Sequence, residues 1–198
     1  AIVEDSTISF SNKLTEIIKL HQVCNGFTKN DDGQIMTLHK SKLNALEEIL
    51  EETDGKVIIW ANYIYNIEQI KNFLTTKYGK DSFVEIYGAT KVKDRQKAIE
   101  SFQNDPKVRF FVSNPTTGGY GLTLTAANTV VYFSNNYNLE VRKQSEDRAH
   151  RSGQTGTVVI IDIITENTID EKIMKALTKK GQIAAKTLGE EELKDWLL

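Results

Sequence analysis

Short runs of β-branched and aromatic residues alternate with longer helical patterns between residues 56 and 164. Nearly continuous apolar runs are typical of parallel strands covered on both faces, and the alternation is typical of strands joined by crossover helices. The predicted strands are 56–60, 83–87, 108–112, 129–133 and 157–164. The predicted helices between them are 64–77, 92–103 and 139–152. The pattern predicts a three-layer α/β fold, whose strand-to-helix loops share one edge of the sheet.

Helical patterns also flank this region on both sides. Residues 11–24 carry apolar side chains at helical spacing,. A helix over 41–52 follows, for which Ser41 is the predicted N-cap,. After the last strand, the spacing of residues 168–171 matches a capping box that opens a helix to about residue 180,. We therefore expect one domain with helical edges.

Composition limits the classes of protein that need consideration. With 198 residues, 39% hydrophobic and 26% charged, the chain can bury a sizeable core as a soluble globular domain,. A single cysteine, Cys24, excludes an intrachain disulfide framework and indicates a reducing compartment,. No apolar run is long enough to span a membrane and no signal peptide pattern is present, so we expect an intracellular protein, cytoplasmic or nuclear,. The net charge of −2 means that any contact with nucleic acid requires a local patch,.

The polar segment QSEDRAHRSGQ begins at Gln144 and carries two closely spaced arginines. Gln144, Arg148 and Arg151 are spaced i, i+4 and i+7, which on a helix places them on one face,. Adjacent guanidiniums repel each other unless an anion lies near them, and their planar forks match phosphate oxygens. Gly153 is predicted to end this helix,. The alternative is a solvated helix end with an Asp147–Arg151 pair that contributes about 0.3–0.5 kcal/mol.

A glycine-rich stretch, TGGYGLTLTAAN, runs from Thr117 to Asn128 just before the fourth predicted strand. The glycines at 118, 119 and 121 allow the backbone to approach phosphate closely or to take a positive φ, although an ordinary turn before a helix is the alternative,. Together with QSEDRAHRSGQT, this stretch closely resembles two consecutive motifs of the Swi/Snf-type DNA translocases. These proteins belong to helicase superfamily 2, and the two motifs are the last of their C-terminal RecA-like lobe.

The resemblance extends in order over roughly four fifths of the chain. LHQVCNG resembles the helices that lead into the second lobe, KVIIWAN and IYGATKVKDRQKAIESFQND its first two motifs, and ITENTIDEKIMKAL its closing segment. The resemblance implies a RecA-like (P-loop NTPase-like) parallel sheet with flanking helices. It also implies a leading helical segment over 1–36, the helicase C-terminal lobe over 37–165, and a helical extension over 166–198 that packs on the lobe.

In such translocases ATP binds between two lobes, and the first lobe carries the phosphate loop and an acidic pair for magnesium. This chain has no G-x-x-x-x-G-K-[ST] sequence, and Asp170 and Glu171 belong to the capping box,. The resemblance therefore implies that ATP and magnesium are bound chiefly by an N-terminal lobe of the same polypeptide, with no metal site here. This chain alone would be an inactive half of an ATP hydrolase. The chain begins at Ala1 rather than methionine, which is typical of an excised or a mature fragment, and the sequence leaves this point open.

The resemblance also assigns roles at the nucleotide. Arg151 matches the position that reaches the γ-phosphate, as an arginine finger, and Arg148 matches the supporting catalytic position. Gln144 would orient the arginines or bind nucleotide. Gly119 and Gly121 complete the predicted nucleotide-binding set.

Duplex DNA is the implied partner, contacted at its phosphates by the loops that follow the strands. The predicted contact residues are Asn62, Gly88, Thr90, Lys91, Asn114, Thr116 and Thr117. Two departures stand out: Thr116 and Thr117 replace a basic residue and an alanine of many relatives, and Tyr137 replaces a tryptophan. We expect binding that is sensitive to salt and independent of base sequence.

Other functions fit parts of the pattern. The lobe of a strand-separating DNA or RNA helicase would share the architecture. A catalytically inert RecA-like binding or scaffold module would also lack a phosphate loop. A small-molecule enzyme with a doubly wound sheet is disfavoured, because no G-x-G-x-x-G follows the first predicted strand,. The first two alternatives remain open on the sequence.

Overall fold

A five-stranded parallel sheet forms the centre of the computed structural model, which describes residues 2–3, 6–7, 12–88, 90–118, 122–151, 154 and 156–188. In chain order the elements are β1 (Ile2–Val3), β2 (Ser6–Thr7), α1 (Lys13–Cys24), β3 (Phe27–Lys29), β4 (Ile35–Thr37), α2 (Ser41–Glu52), β5 (Lys56–Trp60), α3 (Ile64–Tyr78), β6 (Phe83–Ile86), α4 (Val92–Asn104), β7 (Phe110–Ser113), α5 (Pro115–Gly118), β8 (Ala127–Tyr132), α6 (Leu139–Glu146), β9 (Val159–Asp162) and α7 (Ile169–Leu188). All five predicted strands are therefore present, with ends displaced by a few residues.

The strands of the sheet lie in the order β6-β7-β5-β8-β9, and every neighbouring pair is parallel. The first strand, β5, is central: Ile58 pairs with Phe111 of β7 on one side and with Val130 of β8 on the other. The later strands β6 and β7 therefore lie on one side of β5, and β8 and β9 lie on the other side. Loops diverge at the carboxyl end of the central strand, which is where ligands bind in open α/β sheets.

Two hydrophobic clusters cover the two faces of the sheet. On one face, Val57 and Ile59 pack with buried residues of α2 and α3. On the other face, Ile58 and Trp60 pack with Phe102 of α4 and with the segment after α6. Consecutive side chains of a strand point to opposite faces, so the four apolar residues 57–60 of β5 serve both clusters,. The three-layer RecA-like fold predicted from the sequence is confirmed.

Two cations fix the edge of the sheet where the strands begin. The ammonium of Lys56 donates to three backbone carbonyls at and beyond the end of α4, at 2.5–2.8 Å. The guanidinium of Arg109 donates to the carbonyls of Leu50 and Gly55, at 3.0 and 3.1 Å, around the end of α2. Cations at helix C-termini satisfy carbonyls that have no partner within the helix. This edge is structural, and the opposite edge carries the loops of interest.

The leading segment is not purely helical, which corrects the prediction for residues 1–36. After α1 the chain forms an antiparallel hairpin in which Thr28 of β3 pairs with Met36 of β4. The turn into β3 requires glycine: Gly26 has φ +83°, and a Cβ there would lie 2.3 Å from the carbonyl oxygen of His39,. The N-cap of α2 is Lys40 rather than Ser41, and it makes no side-chain capping bond.

Helix α7 extends eight residues beyond the predicted end at residue 180. Its apolar stripe continues past that point, and the buried Gly181 lies within the helix instead of ending it. Ile169, Ile173 and Leu177 pack against Cys24 at the end of α1. The single cysteine is therefore a buried apolar residue of this contact, as small thiols in cores usually are,.

A buried charged cluster joins these flanking helices to the sheet. The ammonium of Lys42 on α2 lies 2.6 Å from Asp170 Oδ2 on α7, and it donates to the carbonyl of Phe133 at 3.2 Å. His21 Nε2 on α1 lies 3.7 Å from Asp170 Oδ1, and His21 Nδ1 lies 2.8 Å from the hydroxyl of Tyr63. Asp170 therefore acts as a structural carboxylate between three helices.

We expect this cluster to make the protein sensitive to acid. Burial lowers the pKa of His21 to about 4, with Asp170 opposing the shift and Lys42 adding to it. In the unfolded chain the imidazole of His21 has a pKa of about 6.5. Between pH 6.5 and pH 4 it therefore binds a proton in the unfolded state but not in the folded state. Stability is therefore full above pH 6.5 and falls by up to about 3 kcal/mol as the pH falls towards 4.

Urea unfolding measured between pH 7 and pH 4 checks this expectation. His21→Gln removes the titrating group and keeps a polar side chain, so its stability should fall less steeply over the same range. Parallel pH profiles for the two proteins would show that His21 does not contribute.

Candidate functional site

The helix that leads to the arginines ends earlier than the sequence predicted. Helix α6 ends at Glu146, and Asp147 is its C-cap. Beyond it the backbone turns: the N–H of Leu124 donates to the carbonyl of Arg148 at 2.9 Å, and Ala149 is fully buried against the sheet. These contacts with a distant segment accompany the end of the regular helix. The prediction of one helix over 139–152 is wrong in its second half, and Gly153, its predicted end, lies outside the described residues.

Both arginines nevertheless reach Leu122 and Thr123, which lie within the glycine-rich stretch. Arg148 Nη1 lies 3.5 Å from the carbonyl oxygen of Leu122, and Arg151 Nη1 donates to the hydroxyl of Thr123 at 3.2 Å. Gly119 and Gly121 lie outside the described residues. The structure therefore brings the arginines together beside residues 122–123 without a shared helical face.

The two guanidiniums influence each other electrostatically. Partial burial lowers the pKa of Arg148, the positive charge of Arg151 lowers it further, and Asp147 opposes both effects. Arg151 itself is exposed. Two neighbouring cations, one partly removed from water, would be stabilised by an anion placed against them, and planar guanidiniums suit phosphate oxygens.

Two glutamines of this segment have different positions. Gln144 lies on α6, where its amide donates to Glu140 Oε1 at 3.1 Å, whereas Arg148 and Arg151 lie beyond the end of that helix. Gln154, to which the sequence analysis gave no role, donates to the carbonyls of Thr125 and Ala127 at 3.2 and 2.8 Å. Gln154 thereby ties the arginine segment to the start of β8. Its partners are backbone groups about 28 residues away in the sequence, so the spacing of residues within one segment cannot predict these hydrogen bonds,.

Four of the predicted DNA-contacting residues lie together at the carboxyl edge of the sheet. Asn114, after β7, donates its amide to the carbonyl of Asn62, after β5, at 2.8 Å. Asn114 Oδ1 accepts from the N–H of Thr116 at 2.9 Å, and its carbonyl accepts from the N–H of Thr117 at 3.1 Å. Hydrogen bonds therefore hold the ends of the two neighbouring strands and the start of α5 in fixed positions.

The other three predicted contacts lie in the loop between β6 and α4, beside the end of β7. Thr90 closes this loop on itself: its hydroxyl accepts from the N–H of Tyr87 at 3.1 Å, and its N–H donates to the Tyr87 carbonyl at 2.8 Å. Lys91 is exposed at the N-cap of α4. A Cβ at Gly88 would meet open space, so packing does not demand glycine there.

A buried ion-pair cluster holds α6 on the sheet, and the sequence gave no sign of it. Arg142 is 7% exposed, and its guanidinium pairs with Asp162 at the end of β9 (Nη2 to Oδ2, 3.1 Å) and with Glu146. The guanidinium also lies 3.5 Å above the ring of Tyr132 and donates to Asn135 Oδ1 at 2.8 Å. A buried cation therefore fixes the largely polar α6, in addition to its apolar contacts.

Metal ions and membranes have no visible site in the described part of the chain. No cluster of three or more histidine, cysteine or acidic side chains there is suited to hold a metal ion. None of its helices combines the length and apolar character of a membrane span.

Comparisons with known proteins agree with this architecture. Residues 41–153 match the family described as the helicase conserved C-terminal domain. The chain is 32% identical to the chromatin-remodeling ATPase INO80 of Sclerotinia sclerotiorum over 143 residues, which are 72% of this chain and 8% of that protein. Other curated relatives are likewise covered over 7–10% of their length.

Two solved structures are similar to this fold. The C-terminal part of the Fun30 ATPase domain matches with 33% identity and a TM-score of 0.64, over 69% of this chain and 44% of that one. The Sulfolobus solfataricus SWI2/SNF2 ATPase C-terminal domain matches with 27% identity and a TM-score of 0.56, over 70% of this chain and 56% of that one.

Proposed function

Because the chain belongs to the helicase conserved C-terminal domain family, as the C-terminal lobe of a Swi/Snf-type ATPase of helicase superfamily 2, we propose that it completes the ATPase site of a duplex-DNA translocase. An N-terminal lobe of the same polypeptide would carry the phosphate loop and hold magnesium. The observation that best supports the proposal is the position of Arg148 and Arg151 beside residues 122–123.

In this assignment Arg151 acts on the γ-phosphate. An exposed guanidinium, bonded to a neutral hydroxyl at 3.2 Å, can exchange that partner for a phosphoryl oxygen when the two lobes close. The transferred phosphoryl group spreads negative charge over its equatorial oxygens, and a cation at that position stabilises the transition state. Arg148, which is partly buried, would hold the second position.

The remaining nucleotide contacts are proposed on the resemblance. Gly119 and Gly121 would let the backbone approach the nucleotide closely. Gln144 would have to leave Glu140 to reach either the arginines or the nucleotide, because its amide now lies along the surface of α6.

DNA would bind across the carboxyl ends of β5, β6 and β7. The loop residues there, Asn62, Gly88, Thr90, Lys91, Asn114, Thr116 and Thr117, offer amides, hydroxyls, backbone N–H groups and one ammonium. Such groups suit phosphate oxygens and carry no base code, so the contacts would position the protein on the duplex without reading its sequence. The fixed bonds between Asn62, Asn114 and Thr116 favour a preformed surface.

The test is ATP hydrolysis by the two-lobe polypeptide with and without duplex DNA, beside this chain alone. We expect duplex DNA to accelerate hydrolysis by the two-lobe protein and this chain alone to show none. The DNA concentration for half-maximal stimulation should rise at least about tenfold between 50 and 200 mM salt, as two or more neutralised phosphates require. Hydrolysis indifferent to DNA, or stimulation unchanged by salt, would refute the assignment.

A further inference from the structure

A chain of asparagine amides connects the end of β5 to the start of α6. Asn62 Nδ2 donates to the carbonyl of Ser134 at 2.7 Å, and Asn136 Nδ2 donates to Asn62 Oδ1 at 3.0 Å. Asn136 Oδ1 in turn accepts from the N–H of Asn138 at 2.9 Å. We call Asn62, Asn136 and Asn138 the amide chain. Asn114, through its bond to the Asn62 carbonyl, connects the loop after β7 to the same chain.

The backbone groups at the two ends determine how each amide must be oriented. The Ser134 carbonyl can only accept, so Asn62 must present its nitrogen there and its oxygen to Asn136,. The N–H of Asn138 can only donate, so Asn136 must present its oxygen there and its nitrogen to Asn62,. Asn136 therefore needs one donor and one acceptor on the same short side chain, which only an asparagine supplies at this length.

The far end of the amide chain is the N-cap of α6. Asn138 Oδ1 accepts from the N–H groups of Glu140 and Val141 at 3.0 and 3.3 Å, and so fixes the first turn. Helix α6 then runs eight residues to the turn that carries Arg148 and Arg151. The amide chain therefore connects the loop after β5 to the helix whose following turn carries the arginines.

Little space is available for the amide chain to rearrange. The cavity between the end of β5, α5 and α6 measures about 10 Å³, enough for a single water molecule at most,. Its lining includes Asn62, Pro115, Ser134, Asn136 and Arg142. Closely packed groups move together, because a shift of one forces its neighbours to shift.

We propose that Asn136 is a positioning residue that couples duplex DNA at the β5 and β7 loops to Arg148 and Arg151. This inference rests on the proposed function and names a regulatory connection within that site. Asn136 itself contacts neither phosphate nor nucleotide. DNA bound at Asn62 and Asn114 restricts the movement of the loops after β5 and β7. Through the amide chain, these loops then restrict the start of α6 and the position of the arginines that follow it.

The experiment is DNA-stimulated ATP hydrolysis by the two-lobe protein carrying Asn136→Asp. The carboxylate keeps an acceptor for the N–H of Asn138 but places an acceptor against Asn62 Oδ1, so the bond to Asn62 is lost. We expect the DNA-stimulated kcat to fall about tenfold, while the basal kcat and the KM for ATP stay within about twofold. Asn138→Asp is the matched control: it makes the same chemical change two residues away, and aspartate caps a helix as well as asparagine does, so stimulation should stay normal.

Each result of this experiment either supports or contradicts the coupling role of Asn136. Equal stimulation of the Asn136→Asp variant and the parent protein overturns the coupling role, as does an equal loss of basal and stimulated rates, which would indicate a structural defect. If Asn136→Asp does not fold, as judged by thermal unfolding, Asn136→Ser is measured by the same ratio, since its short hydroxyl does not span both partners. A parent protein that DNA does not stimulate refutes the proposed function itself, and the coupling with it.

Discussion

Replacing Arg151 with alanine in the two-lobe polypeptide is expected to lower kcat for ATP hydrolysis by about 10³–10⁵-fold. The guanidinium is exposed and donates to the hydroxyl of Thr123. In the proposed function its charge would act on the phosphoryl oxygens in the transition state, whereas the phosphate loop of the other lobe would dominate ground-state binding. ATP affinity, measured by fluorescence titration of a labelled nucleotide, should therefore stay within a few-fold of the parent protein.

Two further variants sharpen this prediction. Lys97→Ala removes one positive charge from the exposed face of α4, so it controls for the change in net charge and should hydrolyse ATP normally. Arg151→Lys keeps the charge but loses the planar fork, so only part of the activity should return. Near-normal turnover by Arg151→Ala would remove the central role assigned to this residue.

The sheet could be predicted from the sequence because four of its five predicted strands are nearly continuous apolar runs. Burial on both faces imposes this pattern within the strand itself, as the fully buried Ile58, Ile59 and Trp60 show,. The hairpin of β3 and β4 was missed because its strands are three residues long, too short for a period to be recognised,. The helix predicted to end at about residue 180 continues as α7 to Leu188.

The segment that carries Arg148 and Arg151 shows where a prediction from local residue spacing fails. A helical period placed Gln144, Arg148 and Arg151 on one face, yet the helix ends at Glu146. The turn is set by a bond from Leu124 to the Arg148 carbonyl and by burial of the next residue, neither of which is encoded in spacing along one segment. Their position near the glycine-rich stretch followed from the family resemblance, which carries long-range information that periodicity lacks.

The same limit applies to the contacts that hold α6. The ion pair between Arg142 and Asp162 joins residues twenty positions apart on different elements. The amide chain is hidden for a similar reason, since Asn62 and Asn136 are 74 positions apart. Polar residues such as Arg142 and Asn136, which the sequence alone suggests lie in solvent, therefore hold the elements of the candidate site together.

We expect Arg142→Met to lower the free energy of unfolding by about 3–5 kcal/mol. Methionine fills most of the apolar volume of the arginine side chain but leaves the carboxylates of Asp162 and Glu146 without their cation. Those carboxylates are only 16% and 9% exposed, so water cannot replace the lost partner. Urea unfolding of this chain followed by circular dichroism measures the change, with the slope m used to check that the unfolding remains two-state.

The ion pairs of the structure also provide a control variant and a second substitution that should restore part of the stability. Lys175→Ala breaks an exposed pair with Glu171, in which the lysine side chain is 78% exposed, and should leave the unfolding midpoint unchanged,. Adding Asp162→Asn to Arg142→Met removes one of the two stranded charges, so the double variant should recover part of the loss despite carrying one more substitution. If Arg142→Met unfolds at the same urea concentration as the parent protein, α6 is held by its apolar contacts, and the buried cation has no structural role.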